Sequence, residues 1–151
     1  MLSESEGRLA LDGSVTFTAS VENWSEKALR NTRLVITQAA QDSAERMTTP
    51  RSKGGLMPVD TGFLRASMVT SINVAVPMRE GARPESRSAS YSLNLDASLA
   101  TLATFEIGDT IYMTFVAEYA RAQEYRNMFV RDAAMNWPLA VEGVAARLVD
   151  E

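Results

Sequence analysis

Residues 58 to 67, Pro58-Val59-Asp60-Thr61-Gly62-Phe63-Leu64-Arg65-Ala66-Ser67, hold the pattern most suggestive of chemistry. Asp60-Thr61-Gly62 carries the letters of an aspartic-protease loop, in which two carboxylates share one proton. The surroundings point elsewhere. Such loops follow an apolar strand, whereas Pro58 and Gly54-Gly55 precede this aspartate, and bulky Phe63 stands where a small residue normally packs. A structural turn uses the same letters. Pro58 fixes the approach, Asp60 can accept backbone N–H groups in an Asx-turn or N-cap, and Gly62 permits a positive φ. Phe63 and Leu64 then enter the core, and Arg65 can pair with Asp60 or another acid.

A second cluster, Glu118-Tyr119-Ala120-Arg121 followed by Glu124-Tyr125-Arg126, offers paired carboxylates and two phenols. Acid–base work would be its chemistry. A strand-to-helix corner pinned by tyrosine packing and Arg–Glu pairing is the simpler reading. Arg79, Arg83 and Arg87 form a basic stretch with no interleaved aromatic before Tyr91, so a solvated loop is the default and contact with DNA or an acidic partner the alternative. The chain has no Cys and no His. Disulfides, thiolate nucleophiles, Cys-ligated metals and the usual general base near neutral pH are therefore excluded. No Asp-x-Asp-x-Asp loop binds calcium and no Gly-rich motif cradles phosphate, so neither a metal nor a cofactor is expected.

These residues need elements to hold them. At 151 residues the chain is long enough for one domain with a real core. Its net charge of −4 argues against binding nucleic acid by broad phosphate neutralisation. No apolar run approaches the roughly 20 residues that span a bilayer. The acidic start, Met1-Leu2-Ser3-Glu4-Ser5-Glu6, is unlike a signal peptide, which places the expected site of synthesis and assembly in a cytoplasm.

Along the chain, residues 1–13 read as a polar arm ending in an Asp12-Gly13 turn, and residues 14–151 as a single domain. Val15 to Val21 alternates like a short strand. From Val21 the period becomes helical: Val21, Trp24, Ala28, Val35, Ile36, Ala39, Ala40 and Met47 share one side, giving an amphipathic helix of about seven turns. Leu34 sits among the charges opposite and is a candidate subunit contact. Pro50 ends the helix by Thr49, and 50–55 reads as a flexible basic connection. Met68 to Val76 and Thr110 to Val116 read as strands. Pro77 to Ser92 reads as a long protruding loop, and Leu95, Leu99 and Leu102 as a helical turn or two. A helix from Met128 to Val149 should break near Asn136-Trp137, because Pro138 lies inside its pattern. The fold class is α+β: two long helices on a small antiparallel sheet.

The order of these features resembles the putative tail-component, or tail-completion, family of tailed phages, the neck proteins of lambdoid siphophages and their relatives. A long amphipathic helix runs into Pro58-Val59-Asp60-Thr61-Gly62-Phe63-Leu64-Arg65. A strand, a variable loop and Gly108-Asp109-Thr110-Ile111-Tyr112-Met113-Thr114 follow, then Tyr119-Ala120, Glu124-Tyr125 and a closing helix. The resemblance covers roughly residues 17 to 149. Arg126-Asn127 stands where the family has a Gly and a loop that often contacts neighbours. The resemblance implies a non-enzymatic virion protein of the neck, assembled in the host cytoplasm as a homo-oligomeric ring, hexameric or matching the neck symmetry. Its implied partners are a head-closure or adaptor ring and the tail terminator or tube, with DNA passing through the lumen without specific binding. A slightly acidic lumen would let that DNA slide. A tail terminator or another connector ring, a small aspartic-type protease of particle maturation, and a host regulatory or antitoxin-like binding module are the alternatives. The candidate interface residues are Leu34, Arg79, Arg83, Arg87, Tyr119, Glu124 and Tyr125, and the structural turn is Pro58, Asp60, Thr61, Gly62 and Arg65.

Overall fold

The computed structural model describes the backbone from Glu4 to Val149 and the side chains from Phe17 to Val149. The protein is α+β. In order it comprises α1 (Glu4–Thr48), a short 3-10 turn (Arg51–Lys53), α2 (Phe63–Ala66), β1 (Met68–Ile72) and α3 (Asp96–Leu102). β2 (Ile111–Phe115), α4 (Ala120–Asn127), α5 (Phe129–Met135) and α6 (Trp137–Val149) follow. The chain divides into two compact units between Leu34 and Val35.

The first unit is the helical segment up to Leu34. The turn expected at Asp12-Gly13 and the strand expected over Val15 to Val21 are both helix instead. A two-residue period is weak evidence for a strand when no partner strand lies nearby in the sequence. In this unit Phe17, Val21, Trp24, Leu29 and Leu34 are exposed. The apolar stripe read from Val21 to Met47 is therefore buried only in its later part, at Ala39, Ala40, Ala44 and Met47.

In the second unit β1 and β2 form a two-stranded antiparallel sheet, with Met68 opposite Phe115 and Ile72 opposite Ile111. The first strand is shorter than expected. Asn73 adopts a left-handed φ of 66°, which ends the ladder and leaves Val74 exposed. Its side chain then closes the sheet across a 37-residue gap: Nδ2 donates to Asp109 Oδ1 at 2.9 Å, and Oδ1 accepts the Thr110 N–H at 2.9 Å. Asparagine tolerates this backbone because its short amide bonds locally.

The core gathers Ala44, Met47, Met57, Leu64, Met68, Phe115, Ala117, Ala120, Phe129 and Ala133. Phe115 and Phe129 meet edge to face with centroids 5.0 Å apart, the favoured aromatic geometry. The third helix docks on β1 through a buried hydrogen bond of 2.5 Å between Thr70 and Ser98. The expected break of the last helix falls at Asn136, and Pro138 occupies the first turn of α6, where its missing N–H costs nothing. The 50–55 connection is tied down rather than flexible. Arg51 N donates to Met57 O, Met57 N donates to Thr49 O, and the Arg51 guanidinium donates to Asn127.

Candidate functional site

The Pro58–Arg65 turn carries the chain from α1 towards β1. Gly62 sits at φ 85°, as expected of a glycine there, and a Cβ on it would lie 2.3 Å from the Tyr91 carbonyl oxygen. Tyr91 N–H donates to Thr61 O at 2.8 Å, so the end of the long loop lies flat on the turn. Thr61 Oγ1 accepts the Phe63 N–H at 3.2 Å. The side-chain cap assigned to Asp60 thus belongs to its neighbour. Asp60 is exposed and makes no hydrogen bond or ion pair with the described residues.

Arg65 does not pair with an acid. Its Nε donates to Thr48 O at 2.6 Å, at the C-terminus of α1. A cation there satisfies a carbonyl that the helix leaves without a partner and complements the negative end of the helix dipole. Leu64 is buried as expected, while Phe63 is half-buried between Tyr91 (5.0 Å, edge to face) and Tyr119 (6.4 Å).

The second cluster opens out rather than converging. Glu118 accepts the Gly81 N–H at 2.9 Å and pairs with Arg83 at 3.6 Å, so its partner is the loop and not its neighbours in sequence. Glu124 faces the other way and accepts the N–H groups of Val130 (2.7 Å) and Arg131 (2.9 Å), capping α5. Tyr125 is 88% exposed. Tyr119 lines a cleft of about 290 Å³ with Pro58, Asp60, Phe63, Pro84 and Gln123. Burial pushes its phenol up, the Asp60 carboxylate adds to that, and a hydrogen bond with the Leu64 backbone partly opposes it.

Residues 77–92 contain no helix or strand, yet they are fastened at several points. Arg79 N–H donates to Val116 O, Glu118 N–H donates to Ala82 O, and the Tyr91 hydroxyl accepts the Glu85 N–H. Arg79, Arg83 and Arg87 are all exposed; Arg83 alone of the three is paired. Leu34 is 53% exposed and lies in the other unit.

Among the described residues no group of acidic side chains is arranged to hold a metal ion, and no helix is long and apolar enough to cross a membrane. Within the second unit the turn, Tyr119 and the loop thus come together, while Glu124 and Tyr125 stand apart. Gln123 and the Thr48 carbonyl are the participants that the sequence did not reveal. Gln123 belongs to α4, a helix for which no apolar stripe gives a signal. No known protein family, curated protein or solved structure matches the chain.

Proposed function

We propose that this protein is a non-enzymatic structural subunit of a tailed-phage virion. It forms a ring at the head–tail junction and joins head-closure or adaptor proteins to the tail. The observation that carries the reading is the part each turn residue plays. Gly62 makes the bend, Thr61 holds it, Leu64 anchors it and Arg65 locks it onto the end of α1. A turn in which Thr61, Gly62, Leu64 and Arg65 each have a structural part favours the neck-protein reading of Pro58–Arg65 over the protease reading. Asp60, the would-be catalytic residue, stands in the open and leads into a helical turn rather than out of an apolar strand.

Mass spectrometry of purified particles of the encoding phage tests the proposal. The protein should be recovered from intact particles in few copies relative to the major capsid protein. Its absence from particles would sink the reading. Processing of capsid and tail precursors should be unchanged in an Asp60→Asn phage; accumulation of uncleaved precursors would favour the protease instead.

A further inference from the structure

The cleft bordered by the turn, Tyr119 and Pro84 holds an acceptor with nothing to accept. Asp60 presents a carboxylate without a described hydrogen bond or ion pair, beside the Tyr119 phenol and the Gln123 amide. The rings of Pro58, Phe63 and Pro84 are among its other walls. Apolar walls leading to a carboxylate suit a long cationic side chain, whose stem lies along the wall while its head meets the acid. A guanidinium adds a planar, charge-assisted pairing.

Two of the chain's own arginines, one in the turn and one on the loop, are already engaged. Arg65 is turned to Thr48 O at 2.6 Å, and Arg83 is paired with Glu118 at 3.6 Å. Arg79 and Arg87 are different. Both are exposed on the loop whose Pro84 walls the cleft, and neither has a described hydrogen-bonded or ion-pair partner for its guanidinium. Backbone hydrogen bonds from Arg79 to Val116 and from Tyr91 to Thr61 hold both ends of that loop. A single copy therefore carries an unfilled carboxylate cleft and unspent arginines on an anchored loop.

We propose that the Asp60 cleft of one copy receives a loop arginine, Arg79 or Arg87, of a second copy. The contact is heterologous, cleft to loop; repeated head to tail it gives a ring only where the rotation between copies closes, and in that respect it rests on the ring reading above. Exposed ion pairs contribute little one at a time, so association of the free chain is weak and salt-sensitive.

Sedimentation velocity at low ionic strength, over a wide range of concentration, tests this directly. The wild type should gain average mass with concentration and lose it in about 0.5 M salt, where the Debye length falls below about 5 Å. Asp60→Arg alone, and the double variant Arg79→Asp/Arg87→Asp alone, should each remain monomeric with unchanged thermal melts. An equimolar mixture of the two variants should associate again, because the reversed cleft now meets the reversed loop. A wild type that is monomeric throughout, variants that associate like wild type, or a mixture that stays monomeric would each overturn the pairing. Its failure is separable from failure of the neck reading: a monomeric chain still recovered from particles removes the pairing alone. A chain that associates through the cleft but is absent from particles removes the neck reading alone.

Discussion

At Gly62 two costs coincide, a left-handed backbone and a carbonyl 2.3 Å from where a Cβ would stand. Gly54 shares the backbone conformation, with φ 87°, but has open space around it. Gly54→Ala should therefore cost only the strain of that conformation, roughly 1–2 kcal/mol. Gly62→Ala should cost distinctly more and loosen the hold of Tyr91 on the turn. Urea denaturation of the two variants checks the order; equal losses would mean that the loop yields freely at Tyr91. Arg65→Met keeps much of the stem and removes the bond to Thr48. About 1.5–3 kcal/mol of stability should go with it, the range for a hydrogen bond to a charged group. Asp60→Asn should leave stability nearly unchanged, since no described hydrogen bond or ion pair is lost.

At the scale of elements, α5 contributes Phe129, the largest of the fully buried side chains among the described residues. Phe129 is 1% exposed and meets Phe115 of β2 edge to face, so Phe129→Ala should cost about 3–5 kcal/mol in equilibrium unfolding. In the first unit Trp24 is 71% exposed, so an aqueous quencher should reach its indole in the isolated chain. A Trp24 protected from the quencher would contradict that exposure. Periodicity made α1 from Val21 onward, the strand cores and the break at Asn136 legible in the sequence, because stripes and a mid-pattern proline are local signals. It failed at Val15 to Val21, where alternation imitated a strand. It also missed α4, whose polar sequence Ala120–Asn127 shows no stripe. The turn was legible in its backbone needs, Gly62 above all, but not in its partners. That Arg65 would reach Thr48, or Glu118 the loop, depends on which distant segments fold together, and spacing carries no record of that.

For the whole molecule, the absence of His and Cys leaves no side chain with an ordinary titration between the carboxylates and the tyrosines. Stability should be flat across the neutral range and fall at both ends. On the acid side, the hydrogen bond from Arg46, 2.6 Å away, holds the Asp132 carboxyl below its usual range, and Asn73 does the same for Asp109. A depressed folded value means that this stabilisation is present above the ordinary Asp range near 3.9 and is lost as pH falls through the lower folded values. Arg46→Met should make acid unfolding begin at higher pH. On the alkaline side, Tyr119 is raised, so the unfolded phenol ionises first and stability declines as pH climbs past about 10. Thermal melts across the pH range check both limbs; a steep change near pH 6 to 7 would contradict them.

The neck-protein proposal stands or falls on assembly. Electron microscopy of a lysate from the encoding phage with this gene disrupted is the most direct measurement. Full heads lying beside free, finished tails, with the two unjoined, is the predicted result. Joined particles of normal appearance would contradict it.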